Sequence, residues 1–450
     1  MDMREIIEYA FKFALKSGAD EVDSLGISRK ALMMRLIDRR GGYKKREIGT
    51  KEIHGLNFRV VVNGSFAYGY TSSLEKCEIE RLLKSLIKIA KLREKDRAFK
   101  GLPDPKTPSH VVGIYDKELE NPDLNEITNY LRNINFEVLG TNQDIITVKT
   151  GFISIIGEKI VANTRGIDVS FRESIGEYFM TVNIASNDRS RSYYDLIQSR
   201  YLKDLSLDEI KEEALEFIDL SSKRVEWKSG RQTAIFHPIA LNSLLRYTLV
   251  EAINGYNVTE GKSYLANKLG EEIAPKELNI IDDGTLKNGL RTAPVDDEGS
   301  PTRRIQIISK GVLEGFLYDH YTAGIANVES TGNAFREMKG GIHIDARNLV
   351  VSSKLRELEE LLSYVERGIL VRDILGAHGT NVGSGAFFVS SPRAFVIQKG
   401  CIVGSIGNAT ISGIFSDVLK NYVAAGGKIR TIGYLTAPYM AFKGIDVVID

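Results

Sequence analysis

Three polar segments decide how the middle of this chain folds: Asn279-Ile-Ile-Asp-Asp-Gly-Thr-Leu286, Asp296-Asp-Glu-Gly-Ser-Pro301 and Ser330-Thr-Gly-Asn-Ala-Phe-Arg-Glu337. Each segment carries a glycine, and short apolar runs separate them. Loops that are held by a rigid sheet are the usual place for binding residues. We therefore predict a β-rich region whose loops form a site. The simpler interpretation is that Asp283-Gly284 and Glu298-Gly299 are only turns.

A β-hairpin is predicted between the second and the third segment. Residues 303–309 are rich in β-branched side chains, Lys310-Gly311 forms a two-residue turn, and residues 312–319 return. A glycine at the second turn position permits the positive φ that a tight hairpin requires.

Length and composition limit the class of protein. The 450 residues are more than one average domain, and the 43% hydrophobic and 26% charged residues are ordinary for a globular chain. The formal net charge of +1 gives no general attraction to nucleic acid or to an anionic membrane. No apolar run approaches the roughly 20 residues that span a bilayer. Two cysteines do not make a disulfide framework, so we expect a soluble cytoplasmic protein.

The order of predicted elements divides the chain into two domains. We expect an α+β protein with an N-terminal α/β domain over residues 1–225 and a β-rich C-terminal domain with a few helices over residues 232–450. The polar segment at residues 224–233 holds the only tryptophan and marks the boundary.

Local signals place several elements in these domains. Apolar spacing predicts a helix over Met3–Lys16, and Asn63-Gly64 predicts a hairpin turn. Ser72-Ser-Leu-Glu75 is typical of a capping box that opens the next helix. The basic residues that follow could bind a polyanion, but a solvated helix face is the favoured interpretation because stacking aromatic residues are missing apart from Phe99. Further helices are expected at residues 238–253, after Pro238, and at residues 354–366, after Ser353.

The ordered set of motifs resembles the TldD/PmbA family of peptide-processing proteins. The resemblance is carried by Asp282-Asp-Gly-Thr285, Asp296-Asp-Glu-Gly299 and Ser330-Thr-Gly-Asn333, and by Gly255, Gly261 and Leu269-Gly-Glu271 just upstream. It is strong over most of the C-terminal half and looser before it. The resemblance implies an α/β N-terminal domain, a β-rich C-terminal domain and a heterodimer of two subunit types.

The catalytic branch of the resembled family carries His-Glu-x-x-x-His on a helix, with a later Cys as a further zinc ligand. Two His residues about one helical turn apart can face one metal ion, and the Glu can accept a proton from metal-bound water. In this register the present chain reads Arg246-Tyr-Thr-Leu-Val-Glu251. Near the C-terminus, where that branch has its Cys, it reads Arg430-Thr-Ile-Gly-Tyr-Leu-Thr-Ala-Pro438. We therefore expect no zinc ligands and no catalytic residues in this chain.

Other metal sites and enzyme motifs are weaker interpretations. His343-Ile-Asp345 with His320 and His378 could converge on a metal ion, and Asp296-Asp-Glu298 could hold a hard cation. A structural histidine and an acidic turn are the simpler interpretations. The segment from Gly255 to Ser263 departs from the spacing of a phosphate-binding loop. Residues 382–386 do not form a nucleophile elbow.

We therefore interpret the chain as a PmbA (TldE-type) subunit, the non-catalytic partner in a cytoplasmic metallopeptidase complex that processes extended peptides. By resemblance, zinc is expected in the catalytic, TldD-like partner, and this chain supplies half of an enclosed cleft. Asn333, Arg336 and Glu337 are the predicted substrate-binding residues. Two alternatives stay open: a self-sufficient metallopeptidase with a displaced metal site, and a homodimeric peptide-binding or scaffold protein.

Overall fold

The structure, a computed structural model, describes residues 2–186 and 189–449. The predicted domain limits at residues 1 and 450 therefore lie outside it. The mixed α+β class that the sequence predicts is confirmed. The first part of the chain forms, in order, α1 (Met3–Lys16), β1 (Glu21–Arg39), β2 (Lys44–Val62), β3 (Ser65–Thr71), α2 (Lys76–Leu92), α3 (Lys117–Glu120), α4 (Leu124–Thr141), β4 (Ile145–Asn163), β5 (Asp168–Ser186), β6 (Arg189–Ser199) and α5 (Asp208–Ser222).

These strands form one six-stranded antiparallel sheet in the order β3-β2-β1-β4-β5-β6. The sheet has two similar halves, each made of a helix, three consecutive strands and a second helix. The long strands β1 and β4 pair at the centre, from Asp23 opposite Asn163 to Arg39 opposite Thr147. Helices α1 and α2 cover one half, whereas α4 and α5 cover the other, so the sheet has two separate apolar cores.

Helix α1 shows how local sequence sets an element. Asp2 caps its first turn and forms a capping box with Glu5, while Gly18, with φ of 96°, ends the segment in a left-handed conformation. Ile6, Ile7, Ala10 and Ala14 form its buried face. Loss of a capping side chain such as Asp2 costs about 1 kcal/mol of stability.

The second part of the chain forms the C-terminal sheet and its helices. In order these are β7 (Gly230–Phe236), α6 (Pro238–Leu245), α7 (Gly255–Thr259), β8 (Asn279–Asp283), β9 (Arg304–Ser309), β10 (Val312–Leu313), α8 (His320–Ala326), β11 (Ala334–Arg336), β12 (Ile342–Ile344), β13 (Leu349–Ser352), β14 (Leu355–Arg356), α9 (Leu358–Ser363), β15 (Arg367–Val371), β16 (Ala386–Gln398), β17 (Cys401–Ile414), α10 (Phe415–Lys420), β18 (Tyr422–Ile432) and β19 (Leu435–Ile449).

Eleven of these strands belong to one sheet, and β11 and β12 form a separate hairpin. Strand β19 pairs with both β17 and β7, so the strands β19-β17-β16-β15-β7 close into a ring. The largest apolar core of the described residues fills this part of the molecule. Ring closure removes open sheet edges from this part of the domain.

Helix α6 begins at Pro238, as predicted, and continues into a π-helical turn over Arg246–Val250. Proline suits the first position of a helix because the N–H that it lacks has no intrahelical partner there. In a π turn the backbone pairs with the fifth residue along, and such turns are frequent at functional sites. The turn brings Arg246 and Glu251 to the same side of the helix, where their side chains meet.

Turn chemistry was predicted correctly at Asn63-Gly64 and Lys310-Gly311, where all four residues have positive φ. The capping box predicted at Ser72 is wrong. Helix α2 begins at Lys76, and the Ser73 hydroxyl accepts a hydrogen bond from the Glu75 N–H in the turn before it. The predicted helix over residues 354–366 is also too long, because residues 355–356 pair with β18 and leave only Leu358–Ser363 helical.

The basic helix α2 has the apolar face that a solvated helix needs: Leu83, Leu86, Ile87 and Ala90 are buried, and Leu82 is partly buried. Within residues 2–186 and 189–449, no helix combines the length and the apolar character needed to cross a membrane.

Candidate functional site

The three segments that open the sequence analysis meet in the folded chain. The Asn333 amide donates to the Asp282 carboxylate over 2.7 Å and to the Asp345 carbonyl over 2.9 Å. The Asp296 carboxylate accepts from the Ala334 N–H over 3.2 Å, and the Asp297 carboxylate accepts from the Arg336 N–H over 2.9 Å. The two carboxylates therefore bind the backbone N–H groups along one edge of β11, and these hydrogen bonds hold the loops to the strand.

Cations from the N-terminal sheet neutralise part of this acidic group. Arg59 on β2 pairs with Asp23 on β1, and its Nη1 lies 2.9 Å from Glu298 Oε1. Lys159 on β4 lies 3.0 Å from Asp297. We call this group the Asp23 cluster; it comprises the carboxylates Asp23, Asp282, Asp296, Asp297, Glu298 and Asp319 and the cations Arg59, Lys159, Arg336 and Arg347, all of them buried.

The Asp23 cluster holds more carboxylates than cations, and the pKa values reflect this surplus. Burial raises the pKa of Asp296 to about 7, with a further contribution from Glu298. Burial likewise raises the pKa of Asp282 and of Asp319 to about 6. Burial also acts on Asp23, but Arg336 and Arg59 together outweigh it and lower the pKa. Some members of the cluster therefore change charge near neutral pH.

A cleft of about 370 Å³ lies beside this cluster, between the N-terminal sheet and the C-terminal domain. The N-terminal sheet lines it with Arg59, Phe66 and Tyr68, and the C-terminal domain lines it with residues of α7, α8 and β12. The Asn57 amide on β2 donates to the carbonyls of Glu337, Met338 and Gly340 at distances of 3.0–3.1 Å. The β11–β12 hairpin is therefore held against the N-terminal sheet, and β12 forms one wall of the cleft.

Strand β12 presents an unpaired backbone edge to the cleft. The Asp345 N–H donates to the Asn333 carbonyl, which makes these two residues a hydrogen-bonded pair of the antiparallel ladder. Because hydrogen-bonded and non-hydrogen-bonded pairs alternate, the N–H and C=O groups of Ile342 and Ile344 point outward. The Ile344 carbonyl accepts from the Asn254 amide over 3.1 Å. The N–H and C=O of Ile342 and the N–H of Ile344 form no hydrogen bond in the β11–β12 pairing.

At the helix position that carries the metal motif in the resembled catalytic branch, this chain has an ion-pair network. Arg246 Nη1 lies 2.7 Å from Glu251 Oε1, and Arg246 Nε lies 3.6 Å from Asp345 Oδ1. Arg291 Nη1 lies 2.9 Å from the other Asp345 oxygen. Tyr434 belongs to the C-terminal segment where the catalytic branch has its Cys. The Arg291 guanidinium carbon lies 5.5 Å from the centroid of the Tyr434 ring.

This set of side chains does not fit zinc. Of the residues at the three motif positions, only Glu251 is an ordinary zinc ligand, and its carboxylate already pairs with a guanidinium. Arg246 itself is a permanent cation that has no lone pair to offer a metal ion. The guanidinium of Arg246 thus supplies the positive charge between Glu251 and Asp345.

A second buried ionic group joins the two domains on β6 and α5. The Asp195 carboxylate accepts from Arg372 over 2.5 Å and from Arg430 over 2.8 Å at each oxygen. Glu213 lies 2.9 Å from Arg372 and 3.4 Å from His237 Nε2. We call Asp195, Glu213, His237, Arg372 and Arg430 the Asp195 cluster.

Asp195, Glu213 and His237 are the only His, Cys, Asp and Glu side chains, among the residues that the structure describes, whose ligand atoms group closely enough to hold a metal ion. His237 Nδ1 accepts from the Ile239 N–H, which leaves Nε2 as the atom that faces Glu213. Burial, together with Arg372, lowers the pKa of His237 to about 4. A metal ion here would have to displace both arginines, so the group is better described as a salt-bridge cluster.

The three predicted substrate-binding residues differ in their exposure to solvent. Asn333 and Arg336 are buried, whereas Glu337 is exposed at the hairpin turn. Contact of these three residues with a substrate stays a prediction. Glu337 suits this role better than Asn333 and Arg336, because its side chain is exposed. His320, His343 and His378 are not brought together with Asp345 in the described part of the chain. His343 stacks on Phe335, and Asp345 faces arginines.

No pattern in the sequence predicts the Asp195 cluster or the free edge of β12. Asp195 and Arg430 are 235 positions apart, and no local pattern links them. The only available signal was the occurrence of acidic residues within predicted apolar elements, which indicates burial with a partner.

Comparison with models of known protein families finds matches in two parts of this chain. Residues 229–448 match the model of the PmbA/TldA metallopeptidase C-terminal domain, and residues 117–220 match that of the central domain. Together the two matches cover well over half of the chain, and they define a metallopeptidase-type protein. The chain belongs to the TldD/PmbA family, which confirms the resemblance seen in its motifs.

Relatives named after TldD and after PmbA are both similar to this chain. It is 26% identical to the metalloprotease TldD homolog of Buchnera aphidicola, over 84% of this chain and 80% of that protein. It is 27% identical to the metalloprotease PmbA homolog of the same organism, over 82% and 81% respectively. The crystal structure of TldE from Thermococcus kodakarensis has the same fold, with a TM-score of 0.88, 24% identity and coverage of 98% of this chain and 100% of that one.

Proposed function

We propose that this chain is the non-catalytic subunit of a TldD/PmbA-type metallopeptidase complex that acts on extended peptides. The supporting observation is the Arg246–Glu251 ion pair at the position of the family's metal motif. A helix that carries a guanidinium there cannot activate a metal-bound water molecule. Under this proposal the hydrolytic centre lies in a partner chain of the same family, and the present chain contributes binding surface.

The cleft supports an extended peptide as the ligand. A peptide in β conformation can add to the free edge of β12, where its backbone would pair with the outward groups of Ile342 and the N–H of Ile344. Backbone pairing of this kind tolerates many side chains. Tyr68, Tyr256 and Tyr321 line the same cleft and can pack against peptide side chains. Glu337 lies at the exposed end of the hairpin, where it can contact a cationic residue.

A peptidase assay with and without a partner tests the proposal. The chain and a family member that retains His-Glu-x-x-x-His are purified separately and together, and cleavage of a set of fluorogenic peptides is measured. We expect cleavage only when the partner is present. The Arg246→Ala variant of this chain should leave the activity of the complex within about threefold, because under this proposal Arg246 takes no part in the hydrolysis.

The rival function, a self-sufficient metallopeptidase, has one observation in its favour, the grouping of Asp195, Glu213 and His237. Peptide cleavage by the isolated chain that a chelator abolishes would favour this rival. Loss of that cleavage in His237→Ala would then assign the Asp195 cluster as the metal site. Absence of cleavage by the isolated chain, combined with cleavage by the pair, supports the subunit role.

The β12 edge is tested separately by peptide binding. Ile342→Pro removes an outward N–H without removing a hydrogen bond of the β11–β12 ladder. We expect it to weaken binding of an extended fluorescent peptide by at least about fivefold, since an edge hydrogen bond is worth about 1 kcal/mol. Ile342→Val is the matched control and should bind normally. Equal affinities for the two variants at equal thermal stability would contradict peptide addition at this edge.

A further inference from the structure

A second cavity, of about 570 Å³, lies between the domains near the Asp195 cluster. Helix α5 and strand β6 of the N-terminal domain form one wall, and strands β16 and β17 form the other. It shares no lining residue with the cleft beside β12. Neither the proposed peptidase role nor the ion-pair networks use it.

The charged lining of this cavity has one sign. Arg191, Arg224 and Arg393 line it, and no carboxylate does so among the residues that the structure describes. Arg393 is paired with Asp373 behind the wall. Arg191 and Arg224 form no ion pair with any of the described residues. Guanidinium groups gathered in a concave site favour an anionic ligand with planar or tetrahedral oxygens.

The floor of the cavity is apolar. Phe217 and Phe395 pack edge to face with their ring centroids 5.6 Å apart, and Ile406 lies beside them. All three are buried. A ligand that reached the floor would therefore present carbon, with its charged end toward the arginines.

An irregularity in the sheet lies in the wall of the cavity. The β16–β17 ladder shifts register between Ser391 and Ala394 and again before Phe395. Pro392, which has no N–H to donate, lies in this bulge, and Gly407, which pairs with Ala394 at the end of the bulge, has φ of 81°. A bulge bends a strand and redirects side chains, and such bulges occur often beside functional sites. Here Pro392, Arg393 and Gly407 of the bulged region all line the cavity.

We infer that this cavity is a binding site for a small organic anion, whose phosphate or carboxylate group contacts Arg191 and Arg224 and whose apolar body packs on Phe217, Phe395 and Ile406. Its size is within the range of small-molecule sites. Since both domains supply the walls, a bound anion stabilises their association by mass action. The inference is independent of the proposed subunit role.

Isothermal titration calorimetry of the full chain tests the inference with phenyl phosphate, benzoate and inorganic phosphate at matched ionic strength. We expect saturable binding of at least one aromatic anion, at least about tenfold tighter than inorganic phosphate, because the ring adds apolar contact. The comparison of phenyl phosphate with benzoate identifies the preferred head group. The midpoint temperature of thermal unfolding should rise with the concentration of the anion that binds.

The test variant combines Arg191→Gln with Arg224→Gln. Its control is Arg132→Gln, which removes a positive charge from the exposed face of α4. The double variant should bind at least about tenfold more weakly, since charge-assisted hydrogen bonds to both guanidinium groups are lost. Arg132→Gln should bind like the unmodified chain. Unchanged affinity in the double variant, or no saturable binding of either aromatic anion to the unmodified chain, would overturn the inference.

Discussion

The Asp195 cluster and the Asp23 cluster both join the N-terminal sheet to the C-terminal domain, yet they neutralise buried charge in different ways. In the Asp195 cluster two carboxylates face two guanidinium groups, and both oxygens of Asp195 are bonded. In the Asp23 cluster six carboxylates share four cations. The first is balanced, whereas the second can reach neutrality only by holding protons.

The pKa values follow from this difference. Burial would raise the pKa of Asp195, but Arg372 and Arg430 outweigh it and lower the pKa. Asp296, with no such partner in contact, has a pKa raised to about 7. The balanced cluster therefore serves as a fixed connection, while the acidic cluster beside the cleft is sensitive to pH. Each of the following variants tests one side of this contrast.

Asp195→Asn should have the largest effect. Arg372 and Arg430 lose the carboxylate that bonds both of them, and only Glu213 then faces the two guanidinium groups. Breaking a buried pair in this way costs about 3–5 kcal/mol. Urea denaturation at neutral pH measures the free energy of unfolding. Asp219→Asn, which removes an exposed pair with Lys223, is the control and should change it by less than about 1 kcal/mol. Equal effects of the two variants would show that the Asp195 cluster is not a connection.

Arg336→Met should have a smaller and pH-dependent effect. Asp23 keeps Arg59 and can also take up a proton, so we expect a loss of about 2–3 kcal/mol at about pH 8 and a smaller loss at about pH 5. Urea denaturation at the two pH values gives the difference. Arg172→Met removes an exposed pair and is the control. A loss that does not vary with pH would contradict proton uptake by the acidic cluster.

Asp319→Asn tests the raised carboxyl pKa directly. The pKa of Asp319 in the folded chain is about 6 against an ordinary 3.8, so the stability that its proton provides is complete below about pH 4 and is lost as pH rises through 6. Asparagine keeps the cap on the Thr322 N–H and has no proton to lose. Relative to the unmodified chain, the variant should therefore gain about 2 kcal/mol between about pH 4 and pH 8.

Its control is Asp123→Asn, another capping residue, which is exposed at the start of α4. This variant should show no comparable gain when both are compared by urea denaturation across the same pH range. A flat difference for Asp319→Asn would mean that the carboxyl group is already ionised at acidic pH.

Local features of this fold were predictable because they depend on neighbouring residues. Asn63-Gly64 and Lys310-Gly311 adopt the positive φ that their turns require, and Met3–Lys16 follows its apolar spacing. Strand length was not predictable in the same way. Strand β1 runs unbroken through the polar residues Arg29 and Lys30, because that part of the strand is exposed to solvent.

The site was predictable only in part, for the same reason. The register of Arg246 to Glu251 against the family motif predicts that this helix lacks the two histidines of the motif. It could not show that Arg246 pairs with Asp345, nearly one hundred residues later. Asn333 was correctly placed within a polar loop, but its burial depends on Asp282 and on strand β12. Contacts of this kind are set by tertiary packing.

The central claim is that the helix from Pro238 holds an ion pair where a catalytic family member holds a metal ion. The most direct test is the zinc content of the isolated chain, purified from zinc-supplemented cells and measured by plasma mass spectrometry. The combined variant Arg246→His, Tyr247→Glu and Glu251→His serves as the matched comparison because it restores the motif. We expect no stoichiometric zinc in the unmodified chain; one tightly bound zinc ion per unmodified chain would contradict the account.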